Sequence, residues 1–197
     1  MKEYYFDKLL NINTGGSQNE SHTSFHYFPY EPTQYSALEI LFNEYELKSS
    51  DRVVDFGSGK GRLNFYIHYF YQASVAGIEM NETFYQIAIQ NKTSYNKKKK
   101  DKIEFHCCLA EEYKIKPDDN RFYFFNPFSK EIFINVINKI LRSVEQEARQ
   151  IDLILYYPSD DYIYFLENNT SFELEKEIKL PDADCDPFER FLIYRYE

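Results

Sequence analysis

Along most of the chain, short runs of β-branched and aromatic residues alternate with segments whose apolar positions recur at helical spacing. Arg52 to Phe56 (RVVDF), Ser74 to Ile78 (SVAGI), Ile103 to Cys108, Arg121 to Phe125 (RFYFF) and Asp152 to Tyr157 (DLILYY) read as strands. Between them, Arg62 to Tyr71 is apolar or aromatic nearly all round, as in a buried helix. Asn81 can cap a helix in which Phe84, Ile87, Ala88 and Asn91 share a face. Ile132, Phe133, Val136, Ile137, Ile140, Leu141 and Val144 form the clearest amphipathic helix. Asn126-Pro127-Phe128 stops the fourth strand, and a short helix follows Pro158. Two further runs, Phe172 to Leu180 and Phe188 to Tyr196, have no helical pattern between them.

Strands separated by helices imply parallel crossovers, and the last two, joined only by a loop, should pair antiparallel. The pattern therefore predicts an α/β fold: a doubly wound, mostly parallel seven-stranded sheet with an antiparallel last strand, sandwiched as three α/β/α layers. Ahead of it, Ser36 and Glu39 make a capping-box pattern before Leu38, Leu41, Phe42 and Tyr45, which predicts a helix from Ala37 to Leu47. Residues 11–24 are polar and read as a loop or mobile arm, and His26 to Tyr35, with Pro29 and Pro32, reads as an extended, stiff segment. The expected organisation is an N-terminal arm or lid over residues 1–35 and one domain over residues 36–197.

Length agrees with a single domain, since 197 residues suit one substantial core. The net charge of −9 provides no global positive field for a nucleic-acid backbone, so it favours a small-molecule or protein partner without excluding nucleic acid. Three cysteines, Cys107 and Cys108 adjacent, cannot form a disulfide framework, and the four histidines show no metal-ligand spacing. Cys107 and Cys108 are expected as packing residues on the third strand and its end. No apolar run is long enough to span a bilayer, and charges in Met1 to Leu10 replace the apolar stretch of a signal peptide. A reducing cytoplasm, no membrane and no metal are the expectations. The 19 Tyr and 18 Phe, unaccompanied by Trp, say little about function because the excess of Tyr, Phe, Lys, Asn and Ile is also what AT-rich codons produce. Lys97 to Lys100 reads as a solvated basic loop.

The six glycines say more, because Gly57, Gly59 and Gly61 fall within five residues directly after the first strand. Ligands of open parallel sheets bind beyond the carboxyl ends of the strands, and glycine there lets a ligand approach the backbone. The spacing is neither that of the dinucleotide fingerprint nor that of the phosphate loop. Asp55-Phe56-Gly57-Ser58-Gly59-Lys60-Gly61 resembles the cofactor loop of class I S-adenosylmethionine-dependent methyltransferases. The resemblance extends to Glu79 at the end of the second strand, to Asn126-Pro127-Phe128 after the fourth, and to the closing strand pair.

That resemblance implies S-adenosyl-L-methionine as cofactor, with Gly57, Ser58, Gly59 and Gly61 against its methionine portion and Asp55 near its ammonium. Glu79, followed by Met80, would accept from the ribose hydroxyls. Leu109 stands where the family often has an Asp near adenine, so the adenine contacts fall to the backbone near Ala110 or to Glu111. Asn126-Pro127-Phe128 resembles the [DN]-P-P-[YFW] motif of amino-methyltransferases, in which Asn and a prolyl carbonyl accept from the target NH2 while the ring stacks on it. Here one proline replaces two, and a purely shape-determining role fits equally. Asn126 is also counted with the cofactor residues, and Tyr30, Thr33 and Tyr35 are the lid candidates. The implied reaction is methyl transfer to an unidentified acceptor, an amino or amide nitrogen among the candidates; a non-catalytic cofactor-binding or regulatory module of the same fold is the alternative. Acceptor recognition falls to the N-terminal arm, the strand-four loop, and the loops near Pro158 and from Pro181 to Pro187.

Overall fold

A computed structural model describes residues 2–16, 30–96, 98 and 100–197. Residues 17–24 of the expected loop, His26 to Pro29 of the expected lid, and Lys97 and Lys99 of the basic run lie outside the described residues. The strands are β1 (Arg52–Phe56), β2 (Ser74–Glu79), β3 (Ile103–Cys107), β4 (Arg121–Phe125), β5 (Ile151–Tyr156), β6 (Glu173–Lys179) and β7 (Arg190–Tyr196). They form one sheet in the order β3-β2-β1-β4-β5-β7-β6. β1 to β5 are mutually parallel, while β7 runs antiparallel between β5 and β6. The strand order reverses between β1 and β4, which opens a crevice at the carboxyl edge there.

The helices are α1 (Lys2–Leu10), α2 (Tyr35–Glu44), α3 (Arg62–Tyr71), α4 (Glu82–Ser94), α5 (Lys130–Gln146) and α6 (Asp160–Asn169). One core joins α1, α2 and α3 to the sheet through Phe6, Leu10, Leu38, Leu41, Phe65 and Tyr123. The opposite core joins α5 and α6 through Phe133, Val136, Ile140, Phe165 and Leu166. The amphipathic stripe read from the sequence is the buried face of α5. Asn81 caps α4 as expected, its side chain accepting from Thr83 N and Phe84 N at 2.9 and 3.2 Å.

Several local expectations are corrected. Residues 2–10 form a helix, and residues 11–16 are pinned by contacts such as Asn13 N donating to Asn91 Oδ1 at 2.8 Å. Helix α2 begins at Tyr35 rather than Ala37, and no side chain caps it locally. Its free Tyr35 N–H is taken instead by Glu3 Oε1 of α1 at 2.9 Å, so a tertiary contact replaces the expected capping box. Cys107 is exposed rather than packed, and Cys108 is partly buried. Tyr157 turns to φ 51° and ends β5 one residue early.

The amino edge of the sheet is held by buried ion pairs. Arg52 Nε donates to Asp119 Oδ1 at 2.8 Å. Asp152, fully buried, accepts from Tyr45 OH at 2.6 Å and from Arg195 Nε at 2.8 Å, with Arg121 Nε 3.5 Å away. This edge is structural and leaves the carboxyl edge for chemistry.

Candidate functional site

At the carboxyl end of β1 the chain passes from Asp55 into a turn where Gly57, Gly59 and Gly61 have φ of 81°, 53° and 87°. These left-handed values explain why glycine was needed. The turn is also crowded: a Cβ on Gly57 would stand 2.8 Å from Pro127 Cβ, and one on Gly59 would stand 2.1 Å from Tyr30 Cε2. Asp55 is only 4% exposed, and its carboxyl group makes no hydrogen bond among the described residues. Burial, with the nearby Glu79 charge, pushes its pKa up from 3.8 to about 8. Ser58 Oγ is likewise buried without a hydrogen-bond partner. Buried polar side chains left unsatisfied at a strand-end turn fit a polar ligand there.

Glu79, at the end of β2, is 8% exposed and faces the same turn. Its Oε2 accepts from Gly59 N at 2.8 Å and its Oε1 from Asn81 N at 2.7 Å. Burial raises its pKa, and these backbone donors oppose that rise. A carboxylate has room for further donors on both oxygens, so Glu79 braces the loop and still offers acceptors to a ligand. Met80, beside it, is exposed. Ala110 is buried in a short 3₁₀ turn after β3, whereas Leu109 stands exposed before it. The Glu111 carboxylate accepts from Asn135 Nδ2 of α5 at 2.7 Å, so it is engaged by that helix.

The three lid candidates have different surroundings. Tyr30 lies on Gly59, tilted against the Phe84 ring at 4.8 Å, with its OH donating to Thr14 O at 2.8 Å. Thr33 is buried and its Oγ1 lies 2.7 Å from Tyr123 OH of β4. Tyr35 is fully buried in α2, stacked on Phe6 at 4.7 Å and donating to Asp7 Oδ1 at 2.7 Å. Tyr35 therefore anchors α1 to α2 and presents no face to the glycine turn, which corrects its assignment to the lid.

Lys60 and Arg62, which flank Gly61, were not singled out by their sequence. Lys60 Nζ donates to Gly15 O at 2.6 Å and sits 4.8 Å from the centre of the Tyr30 ring. Arg62 is 5% exposed; its guanidinium pairs with Glu3, donates to Thr14 Oγ1 at 2.8 Å and to Thr33 O at 3.2 Å, and covers the Tyr35 ring at 4.6 Å. The glycine turn thus carries its own cationic fasteners for the N-terminal segment. Their signal in the sequence was a basic residue on either side of the last glycine.

Beyond β4, Asn126 has φ 40°, and its carboxamide makes no hydrogen bond among the described residues. Pro127 rests against Gly57. Phe128 is 2% exposed and packs edge-on to Phe124 at 6.1 Å. Its ring belongs to the core beneath the turn, so the expectation that it stacks on a planar amine is corrected; Tyr162 OH donates to its carbonyl and fixes the loop from below.

At the ends of β4 and β5 a cleft of about 180 Å³ is lined by Glu31, Pro32, Gln34, Phe125, Tyr156, Tyr157, Asp186 and Glu189. Tyr156 OH donates to Glu189 Oε2 at 2.9 Å, and Tyr157 OH to Asp186 Oδ2 at 2.6 Å. Phe125 and Tyr156 form one wall, their ring centres 4.3 Å apart. Its walls come from the N-terminal segment, the ends of β4 and β5, and the loop before β7, which are the segments expected to recognise an acceptor. Among the described residues no cluster of His, Cys, Asp or Glu could hold a metal ion, and no helix is long and apolar enough to cross a membrane.

No protein-family profile and no curated protein matches the sequence. Solved structures do. An RNA methyltransferase from Salinibacter ruber, in complex with S-adenosyl-L-homocysteine, is 18% identical with a TM-score of 0.55, over 84% of this chain and 92% of that one. An rRNA methylase from Streptococcus thermophilus is 14% identical with a TM-score of 0.56, over 85% and 97% of the two chains. The geranyl diphosphate C-methyltransferase from Streptomyces coelicolor A3(2), with Mg2+, geranyl diphosphate and S-adenosyl-L-homocysteine, is 10% identical with a TM-score of 0.58, over 82% and 77%. At such identities the likeness is one of architecture, and it is the one that the strand order and the glycine turn had already indicated: this chain has the Rossmann-like fold of the class I methyltransferases.

Proposed function

We propose that the protein is an S-adenosyl-L-methionine-dependent methyltransferase whose cofactor lies across the turn from Asp55 to Gly61. The observation that carries this reading is Asp55, a buried carboxyl group at the mouth of a glycine turn, with no hydrogen bond among the described residues and its pKa pushed up to about 8 by burial and the Glu79 charge. Such a group is costly to ionise alone and becomes favourable opposite a cation, which is what the cofactor's ammonium supplies. Ser58 Oγ offers a second unused polar atom there, and Glu79, already oriented by Gly59 N and Asn81 N, has acceptor capacity for ribose hydroxyls. The backbone around Ala110 is the site for the adenine edge. When bound, the cofactor supplies an activated methyl group on a sulfonium, so the chain contributes positioning and exclusion of water. Tyr30 walls the turn on its outer side, and Asn126 stands between the turn and the cleft, where an acceptor atom is oriented. The structures it resembles include two RNA methyltransferases and one acting on geranyl diphosphate, which supports methyl transfer and leaves the acceptor to this chain's own residues.

Titration of the purified protein with S-adenosyl-L-homocysteine tests the proposal. Binding with a thermal shift is expected, and loss of that binding in a folded Gly59→Arg variant. Absence of heat and of thermal shift at millimolar ligand overturns the reading.

A further inference from the structure

The cleft beside Asn126 has a character that the shared fold does not dictate. Its carboxylates, Glu31, Asp186 and Glu189, come from two separate segments, and among the described residues no Lys or Arg lines it. The loop supplying two of them, Pro181 to Glu189, also carries Asp182 and Asp184 and contains no basic residue. Glu31 has no hydrogen-bond partner among the described residues and is exposed at the mouth. Asp186 and Glu189 are oriented by the Tyr157 and Tyr156 hydroxyls, yet each retains acceptor capacity. Phe125, Tyr156 and Tyr157 line the same space. Carboxylates and aromatic side chains lining one small space attract a cation and repel phosphate. The phenols agree with this field: both are pushed up, Tyr156 first by burial and Tyr157 first by its bond to Asp186, with Glu31 and Glu189 adding to each.

We propose that the cleft binds an organic ammonium, so that the methyl acceptor is an aliphatic amine, carried by a free small molecule or by a lysine side chain. The proposal rests on the methyltransferase reading for its chemistry and on the cleft alone for its recognition. At about 180 Å³ the space is smaller than the ~300 Å³ and upward of pockets that enclose drug-sized ligands, and suits an alkyl-ammonium end. Position agrees too, because Phe125 in the cleft wall and Pro127 on Gly57 are separated only by Asn126. In the transfer, the bound ammonium first gives one proton to water. The nitrogen lone pair then bonds to the methyl carbon while the carbon–sulfur bond breaks, its electron pair passing to sulfur. A neutral thioether and a secondary ammonium result.

The test is calorimetry of the full chain with cadaverine, n-butylammonium and a lysine-containing tripeptide amide, each with and without S-adenosyl-L-homocysteine, and with pentane-1,5-diol as the uncharged counterpart of cadaverine. Binding of at least one amine is expected, with the diol at least tenfold weaker. Glu189→Gln should weaken the amine about tenfold, as loss of a charge-assisted hydrogen bond does. Glu31→Gln, at an exposed side chain whose loss cannot unfold the protein, should weaken it severalfold. Preference for the tripeptide over the free amines identifies a protein acceptor, and the reverse a small one; either supports the proposal. It is overturned if no amine binds, if the diol binds equally, or if both variants bind like the parent. Amine binding without S-adenosyl-L-homocysteine binding would overturn the methyltransferase reading and leave the cleft's assignment standing; the converse result would remove only the acceptor.

Discussion

Replacing Asp55 by Asn separates stability from binding. In the folded chain the Asp55 pKa stands at about 8 against an ordinary 3.8. At 1.36 kcal/mol for each pH unit of that difference, the ceiling on the cost of ionising it in place is about 6 kcal/mol. The folded state holds a proton that the unfolded chain has released between about pH 4 and pH 8, so stability falls as pH rises through that window and levels off above it. Water entering the turn and local relaxation reduce the ceiling, and about 3 kcal/mol is the expected effect. Asn keeps the size and has no charge to bury, so D55N and the parent should be near-equal in stability at pH 4 and diverge towards pH 8. Urea unfolding followed by circular dichroism reads this as a midpoint about 1 M or more higher for the variant at pH 8. The same variant should bind S-adenosyl-L-homocysteine at least tenfold more weakly. In the parent, binding at pH 7 should release a proton as the ammonium draws Asp55 into its ionised form, seen as calorimetric heats that differ between phosphate and Tris buffers. Equal stability of the two proteins across the range, or undiminished binding by D55N, would refute the role given to this carboxyl group.

Two further substitutions test how the site is held. Arg62→Met removes a buried guanidinium that serves Glu3, Thr14 Oγ1 and the Thr33 carbonyl and should cost about 1–3 kcal/mol of folding stability, measured by urea unfolding; a loss under about 0.5 kcal/mol by the same measure would deny that Arg62 fastens the N-terminal segment. Asp152→Asn, at the opposite edge of the sheet, strips the charge that Arg121 and Arg195 share; it should cost about 3–5 kcal/mol and leave S-adenosyl-L-homocysteine affinity unchanged in protein that remains folded, so altered affinity there would show that the two edges are not independent.

The parts of the molecule written by local rules could be read from the chain. The β1–turn–α3 unit, the Asn81 cap and the buried stripe of α5 each depend on residues within a few positions of one another, and each appears as read. Helix α1 was not legible because only Phe6 and Leu10 of it are buried, and its polar side chains find partners far along the chain: Glu3 on Tyr35 N and Arg62, Asp7 on Tyr35 OH. For the same reason the start of α2 was misplaced, since the group that caps it comes from another helix. In the site, the turn was legible in its glycine spacing and Glu79 through the family resemblance, whereas the cleft is made by four segments far apart in sequence, the first about 90 positions before the next, as the Thr33–Tyr123 contact across 90 positions illustrates. Phe128 was misjudged because an aromatic residue at a loop looks the same in sequence whether it faces a ligand or the core.

The strip from Tyr30 to Gln34 touches both places where ligands are proposed, Tyr30 on Gly59 and Glu31 on the cleft. Nothing longer than a single bonded step separates those two residues, so a shift of one carries the other. This strip is the route by which seating a molecule on the turn would be felt in the cleft. Whatever factor S-adenosyl-L-homocysteine imposes on amine affinity, the amine must impose on S-adenosyl-L-homocysteine affinity in equal measure, so a coupling measured in one direction fixes it in the other.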